Sequence, residues 1–120
     1  MNTKTYDLED RLVSFASQIV FFTKKLPNDM PGTYYGNQLL RSGGSAALNF
    51  GEAQGTASIK DKVYKLTLSL KELKESRVNL KIINKVGYGN EADCKALLYE
   101  VEQLIKIIAT IIKNKKTQLH

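Results

Sequence analysis

Apolar residues recur at alternating steps of three and four along almost the whole chain, which is the spacing of one face of an α-helix. The first segment shows the pattern most clearly. Its apolar residues are Leu8, Leu12, Phe15, Ile19, Phe22 and Leu26. A helix with such a stripe must bury it along another helix, and no segment shows the pattern of a strand. The spacing therefore predicts a helical bundle.

Glycine and proline divide the chain into four such segments. The breaks fall at Pro27–Gly32, at Gly55 and at Gly87–Asn90. The segments predict helices over about residues 5–26, 33–54, 59–86 and 91–114, followed by a basic, frayed tail over residues 115–120. Because connections this short join antiparallel neighbours, we expect an all-α fold in one domain over residues 1–120, namely an antiparallel up-down-up-down four-helix bundle with left-handed packing.

The chain is basic, with a net charge of +6 among 120 residues. This charge permits contact with nucleic acid or an acidic partner. A single cysteine, Cys94, excludes an internal disulfide and fits a reducing compartment. The first eleven residues lack the apolar run of a signal peptide, and no uncharged stretch approaches the roughly 18 residues that span a membrane. We expect a cytoplasmic protein without membrane contact.

The segment Gln38–Gln54 carries two adjacent glycines, Gly43 and Gly44, inside a predicted helix. Each weakens an isolated helix by about 1 kcal/mol relative to alanine, so a closely packed neighbour should compensate. Small and apolar residues share one broad face of this helix, whereas a polar stripe lies on the other side. The first group is Leu39, Leu40, Gly43, Ala46, Ala47, Phe50 and Ala53, and the stripe is Arg41, Ser45, Asn49 and Glu52. We interpret the small face as a close-approach surface within the bundle, and the stripe as a contact between protomers or a helix-stabilising network.

Arg77 and Asn84 occupy positions in the third predicted helix where the apolar seam calls for leucine. An unpaired buried charge costs several kcal/mol, so Arg77 needs an acidic partner. Counting back from the turn at Gly87–Asn90 places Glu100 of the fourth helix at the level of Arg77. We therefore predict an ion pair between Arg77 and Glu100.

The fourth predicted helix has more apolar surface than one core-facing stripe requires. Its main seam is Cys94, Leu97, Val101, Leu104, Ile108 and Ile111, and a second row is Leu98, Ile105 and Ile112. Together the two rows cover about half of the helix circumference. This width is the main argument from the sequence for oligomerisation.

The residue types that most catalytic and metal sites require are scarce. The one histidine is the last residue, His120, and Cys94 lies in an apolar seam. A histidine-activated nucleophile would need His120 to reach back, and the Glu-x-x-His pairs of metal-binding bundles are absent from the sequence. Glu72 and Glu75 alternate with lysines, as on a solvated helix face. We predict no enzyme activity, cofactor, metal or small-molecule substrate.

Lysines near the helix ends are candidate contacts to nucleic acid. They are Lys24, Lys25, Lys60, Lys62, Lys113, Lys115 and Lys116. Such lysines hold phosphates without reading sequence. Tyr34 and Tyr35 have the aromatic rings that stack on bases, although residues near a helix start more often staple a loop onto the core.

Two stretches of the sequence resemble one known family. The first, QLLRSGGSAALNFGEAQG, contains Arg41, Ser42, Ser45, Asn49, Glu52 and Ala53, and the second, LTLSLKELKESRVNLKIINKVGY, contains Glu72, Glu75, Val86, Gly87 and Tyr88. They are similar to the bacterial four-helix-bundle proteins encoded in intervening sequences of large-subunit ribosomal RNA, which often carry a ribosomal-protein-like label. The resemblance marks Arg41, Ser45, Asn49, Glu52 and Glu75 as signature residues with a structural or assembly role.

The resemblance implies a four-helix bundle that assembles as a homopentamer. A related branch, the accessory variability proteins of diversity-generating retroelements, forms basic pentamers that bind a reverse transcriptase and nucleic acid. Our leading hypothesis is a non-catalytic, self-assembling helical scaffold with weak, non-sequence-specific binding of RNA or a nucleoprotein. The alternative is a protein–protein interaction module without a nucleic-acid role, in which a groove accepts a partner helix and the charge aids solubility.

Overall fold

Four long helices make up nearly all of the described chain. The computed structural model describes residues 4–119, with side chains from residue 7 onward. The helices are α1 (Lys4–Lys24), α2 (Met30–Gln54), α3 (Ile59–Lys85) and α4 (Glu91–Lys116), and a 3₁₀ turn follows at Thr117–Leu119. Residues 4–119 contain no strand, so the predicted all-α four-helix fold is confirmed. In this range no helix is both long and apolar enough to cross a membrane.

Helices that follow one another in the chain are neighbours in space. α1 packs against α2, α2 against α3 and α3 against α4, while a looser contact between α1 and α4 closes the bundle. Along α2 and α3 the contacts run in opposite directions, because Ser42 meets Ser76 whereas Ala46 meets Ser69. This is the arrangement of an up-down-up-down bundle. Its handedness and its division into a single domain stay predictions.

Capping residues set where the helices begin. The side chains of Ser58 and Asn90 accept hydrogen bonds from backbone N–H groups in the first turns of α3 and α4, at 3.0 and 2.9 Å. α2 begins at Met30, earlier than the predicted residue 33. The reason is that the carboxylate of Asp29 accepts the N–H of Gly32 at 2.8 Å and so caps the helix.

The C-terminal segment is more regular than predicted. α4 continues through Lys115 and Lys116, and Thr117–Leu119 form a 3₁₀ turn. The hydroxyl of Thr117 donates to the carbonyl of Asn114 at 2.6 Å, which satisfies an acceptor at the helix end. The prediction of a frayed tail is therefore wrong for residues 115–119. His120, which would have to reach back to activate a nucleophile, lies outside the described residues.

Small residues bring α2 and α3 together. Ser42 and Ala46 of α2 face Ser69 and Ser76 of α3, and all four are fully buried. The Oγ atoms of Ser42 and Ser76 lie 2.7 Å apart, and Ser69 donates to the carbonyl of Ala46 at 2.7 Å. Each buried hydroxyl thus has a partner, as a dry interior requires. The predicted close-approach surface of the second helix is confirmed at this contact.

The two central glycines of α2 have different surroundings. A Cβ atom at Gly43 would lie 2.5 Å from Cδ1 of Ile19, so α1 comes close at this position. A Cβ atom at Gly44 would have no heavy atom within 4 Å. Close packing against α1 therefore explains why residue 43 is a glycine, but packing inside the bundle does not explain the glycine at residue 44.

The second apolar row of α4 packs inside the protein's own bundle. Ile105 and Ile112 are buried, and Leu98 packs against the core while partly exposed. The sequence-based argument that this row is surplus surface for oligomerisation is therefore wrong. Most of the exposed large apolar side chains lie on α1 and α2 instead.

Candidate functional site

Arg41 joins α2 to two glutamates of α3. Its Nη1 donates to both carboxylate oxygens of Glu72 at 3.2 Å, and its Nη2 donates to Glu75. The side chain of Glu72 is 15% exposed, whereas that of Arg41 is 48% exposed. The hydrogen bond with Glu75 is the main cause that raises the pKa of Arg41, and Glu72 adds to it. One guanidinium therefore serves two carboxylates, which its planar fork of donors allows.

Ser45 and Asn49 extend this network along α2. The hydroxyl of Ser45 donates to Glu72 at 3.1 Å, and the amide of Asn49 donates to the carbonyl and hydroxyl oxygens of Ser45 at 2.9 and 3.1 Å. Glu52 accepts from Lys65 of α3 at 2.6 Å, and this bond is the first cause that raises the pKa of Lys65. We call the whole set the α2–α3 polar seam: Arg41, Ser45, Asn49, Glu52, Lys65, Glu72 and Glu75.

The polar seam lies beside the close contact of the two helices. The sequence placed the stripe on the side of α2 away from its small-residue face, yet Ser45 lies only about 60° around the helix from the buried Ser42. α3 packs against this edge of the small face, so it meets the stripe as well. The stripe is therefore hydrogen-bonded to α3 within one bundle, and a role at a contact between protomers stays a prediction.

The seam does not assemble a catalytic set within the described chain. Ser45 donates to a carboxylate that Arg41 already neutralises, and no base activates the hydroxyl. Over residues 4–119, no group of three or more His, Cys, Asp or Glu side chains is placed to hold a metal ion. What this arrangement does is hold α2 against α3.

Arginines tie two further pairs of helices. Arg11 donates to Glu100 at 2.7 Å between α1 and α4, and Arg77 donates to Glu102 at 2.8 Å between α3 and α4. The predicted pair of Arg77 with Glu100 is therefore wrong. Glu100 and Glu102 lie about 200° apart around α4, so counting along the helix found the right turn but the wrong face. The hydrogen bond from Arg77 is the main cause that lowers the pKa of Glu102.

The turn between α3 and α4 is fastened to the loop before α2. The hydroxyl of Tyr88 donates to Asp29 at 2.7 Å, and this bond lowers the pKa of Asp29 and raises that of Tyr88. Gly87 and Gly89 adopt φ values of +76° and +74°, which favour glycine. The sequence indicates the turn, but it carries no signal for a bond between residues 59 positions apart.

The predicted nucleic-acid lysines fall into two groups at opposite ends of the bundle. Lys24 and Lys25 lie at the C-terminal end of α1, whereas the others lie where α3 begins and α4 ends. About 20 residues of helix, or roughly 30 Å, separate the groups. Tyr34 is exposed and Tyr35 packs partly against the core, with their rings edge to face at 5.0 Å. The seven lysines alone therefore form no continuous surface.

Among the surface depressions outside the centre of the polar seam, two are the larger ones. A groove of about 460 Å³ between α1 and α4 has an apolar floor that includes Phe15, Phe22 and Leu97. A shallow depression of about 690 Å³ follows the outer side of α3 and reaches Glu75 at its edge. Neither depression gathers a nucleophile with its base.

Comparisons with known proteins agree with this fold. Residues 4–110 match the family model described as 23S rRNA-intervening sequence protein. A crystal structure from Bacteroides thetaiotaomicron, of a protein with unknown function from the S23 ribosomal protein family, is 29% identical, with a TM-score of 0.84. The alignment covers 92% of this chain and 98% of that one. No curated protein matches the sequence. The chain belongs to the 23S rRNA-intervening sequence protein family.

Proposed function

We propose that the protein is a non-catalytic, self-assembling helical scaffold that binds RNA or a nucleoprotein weakly and without reading sequence. The observation that carries the proposal is the segregation of surface chemistry. The middle of the outer side of α1 and α2, over residues 12–23 and 30–51, is apolar with Arg41 as its one charged residue, whereas the outer side of α3 and α4 is rich in lysine. Two unlike surfaces suit two unlike contacts, one with copies of the chain and one with a polyanion.

Four exposed side chains define what we call the α1–α2 apolar face. Val13 and Val20 of α1 are 52% and 41% exposed, and Leu40 and Leu48 of α2 are 37% and 69% exposed. Residues 12–23 contain no charged side chain, and residues 30–51 contain one, Arg41. Because Arg41 turns toward α3, its charge does not cover this face.

Burial of the apolar face favours association with further copies of the chain. Removing apolar surface from water is worth roughly 25 cal/mol per Å², and the centres of protein interfaces are depleted in charge. Two copies of a chain with a net charge of +6 repel each other, so an uncharged face is where they approach at least cost. Gly44 lies on the same side of α2, where the bundle itself leaves open space.

The resemblance implies five copies, and we include the homopentamer in the proposal. A closed ring of five requires head-to-tail contacts, in which the same patch of each copy meets a different patch of the next. The apolar face supplies one side of such a contact.

Two measurements test the two halves of the proposal. Sedimentation of the wild-type chain should give a mass several times the 13.5 kDa of one copy, and a monomer at micromolar concentration would refute self-assembly. Titration of a labelled RNA should show binding that weakens steeply with added salt. Absence of salt-sensitive binding at micromolar protein would refute the RNA half.

The groove between α1 and α4 supports the alternative of a protein-interaction module. Its apolar floor and its volume of about 460 Å³ suit the insertion of side chains from a partner helix. Charge reversal of Lys113, Lys115 and Lys116 separates the alternatives, because it should weaken RNA binding and leave an apolar partner attached. Retention of full RNA binding by this variant would count against a role for these three lysines.

We also propose that the protein is cytoplasmic. Cys94 is a free, buried thiol, and burial raises its pKa. Such a thiol is suited to a reducing compartment. Recovery of the native protein in the cytosolic fraction would test this assignment, and recovery outside the cytosol would contradict it.

A further inference from the structure

Lysines repeat at heptad spacing along the outer side of α3 and α4. On α3 they are Lys60, Lys74 and Lys81, and on α4 they are Lys106 and Lys113. Lys74 and Lys81, like Lys106 and Lys113, are seven residues or about 10 Å apart along their helices, whereas fourteen residues separate Lys60 from Lys74. All five side chains are exposed. We call them the lysine face.

The two rows belong to one surface because they meet at Glu102. Arg77 of α3 donates to Glu102 of α4, and Lys81 and Lys106 each lie about one helical turn after a member of this pair. The hydrogen bond from Arg77 already occupies this acid. Within residues 4–119, the ion pairs that involve lysine use residues outside the lysine face. The positive charge of the face is therefore available to a ligand.

The shape and composition of this surface suit a nucleic-acid backbone better than a protein. The depression beside Lys74 is shallow, and the large exposed apolar side chain in its lining is Val78. Protein interfaces are depleted in lysine and need apolar anchors at their centre. A sugar-phosphate backbone needs a regular line of positive charge and little else.

Arginine and lysine have different roles in this protein, and this difference explains why the lysine face would bind RNA of any sequence. The three arginines of the chain, Arg11, Arg41 and Arg77, all bind carboxylates that tie helices together. Arginine is the residue that most often recognises guanine through its fork of donors. Lysine is a point charge that attracts phosphates of any sequence. The positive charges that remain available to RNA are therefore those of lysines.

We infer that the lysine face binds the phosphate backbone of RNA, with Lys74, Lys81 and Lys106 at its centre. This inference rests on the RNA binding proposed above and names the surface that performs it. The candidates predicted from the sequence include Lys60 and Lys113 of this face, but none of the three central lysines. The face runs from Lys60 to Lys81 over about 30 Å and so joins the two ends of the bundle.

A matched pair of triple variants tests the assignment. The face variant is Lys74→Gln, Lys81→Gln and Lys106→Gln, and the control is Lys24→Gln, Lys25→Gln and Lys95→Gln, of which Lys95 already pairs with Glu91. Each lowers the net charge of +6 by three units, so bulk charge is the same in both. The readout is the affinity for a labelled RNA, single-stranded and duplex, as a function of salt concentration.

The face variant should bind RNA about tenfold or more weakly at low salt, and the slope of log affinity against log salt should fall by about 2 to 3. The control should stay within about threefold of the wild type. Equal weakening of both variants, or weakening of the control alone, overturns the inference while the proposed RNA binding stands. A wild-type chain that binds no RNA overturns the proposed RNA binding itself.

Two further measurements are needed. One distinguishes loss of binding from misfolding, and the other distinguishes nucleic acid from other polyanions as the ligand. The variant with Lys74→Arg, Lys81→Arg and Lys106→Arg keeps the charge and should keep the affinity, and loss of binding there overturns the inference. Polyglutamate at equal charge concentration should compete more weakly than duplex RNA, because an extended polypeptide carries one charge per about 3.4 Å and a nucleic-acid duplex one per about 1.7 Å. Competition as strong as that of unlabelled RNA would overturn the assignment to nucleic acid.

Discussion

The Oγ atoms of Ser42 and Ser76 lie 2.7 Å apart at the centre of the contact between α2 and α3. Both serines are fully buried, and Ser76 also donates to the carbonyl of Glu72 in its own helix. A contact between two serines leaves less space between helix axes than a contact between leucines. This short distance lets Arg41 of α2 reach two glutamates of α3. The small buried residues thus position the polar seam on the surface above them.

Enlarging the buried serine should push the two helices apart. Ser76→Leu is expected to lower the free energy of unfolding by about 1–3 kcal/mol, because the contact has no room for the added atoms. Ser76→Ala is the control and should cost about 1 kcal/mol, since it removes a hydroxyl without adding volume. Chemical denaturation measures both, and a Ser76→Leu variant as stable as the alanine control would contradict the tight contact.

The two glycines of α2 should respond differently to alanine. Gly44→Ala is expected to stabilise the fold by up to about 1 kcal/mol, because open space surrounds the new methyl group. Gly43→Ala should be about 1 kcal/mol less stable than Gly44→Ala, since its methyl group meets the terminal methyl group of Ile19, which must move. Denaturation of both variants on a Leu48→Glu background excludes effects of assembly. Equal stability of the two variants would contradict the described packing.

Replacement of the seam arginine should weaken the junction of α2 and α3. Arg41→Gln is expected to cost about 1 kcal/mol, because an exposed ion pair contributes little while Glu72 and Glu75 lose their shared partner. Arg41→Lys should recover only part of the loss, since an ammonium lacks the fork that serves two carboxylates. Full recovery with lysine would show that charge alone matters. Hydrogen exchange of α2 and α3 amides gives a second measure of the same junction.

The bond between Tyr88 and Asp29 should add a pH-dependent stability at both ends of the pH range. Asp29 has a pKa below its ordinary 3.8, so its contribution is present above the unfolded-state pKa and is lost as pH falls through the lower folded-state value. Tyr88 has a pKa above its ordinary 10.0, so its contribution is full below that value and is lost as pH rises through the folded-state value. Tyr88→Phe should be less stable than wild type near neutrality, and the difference should shrink at either extreme. A difference that does not change with pH would contradict this bond.

The sequence predicted the helices well because their signals are local. Heptad spacing, prolines and glycines mark four long segments, and the ends of α3 and α4 agree with the predicted boundaries to within a few residues. The start of α2 was misplaced because the capping by Asp29 was not recognised. Regular spacing therefore predicts which segments are helical better than it predicts where each begins.

The contacts between helices were harder to predict because they depend on rotation about each helix axis. The seam of α3 was predicted to pass through Arg77 and Asn84, whereas the structure buries Ser76 and Ile83, one residue earlier in each case. Serine carries no apolar signal, so its burial is invisible to a search for hydrophobic spacing. The rotation of α4 about its own axis likewise places Glu102, instead of Glu100, beside Arg77.

The pairing of the signature residues with α3 was not predicted, although the residues themselves were. The sequence marked Arg41, Ser45, Asn49 and Glu52 as a polar stripe and Glu75 as part of a second stretch. These residues form one network only because α2 packs closely against α3. The buried serines determine that close packing. The role of Glu72 as the shared acceptor of Arg41 and Ser45 likewise follows from the packing alone.

Self-assembly through the α1–α2 apolar face is tested most directly by two substitutions at equally exposed sites, one on this face and one on α4. The measured quantity is the mass of each variant in solution. Leu48 on this face is 69% exposed and Tyr99 on α4 is 70% exposed, so a glutamate at either site should leave the bundle folded. We predict by sedimentation that the wild type and Tyr99→Glu form an assembly of several chains, whereas Leu48→Glu has the 13.5 kDa of one chain. A monomeric wild type, or a Leu48→Glu variant that assembles as the wild type does, would contradict this proposal.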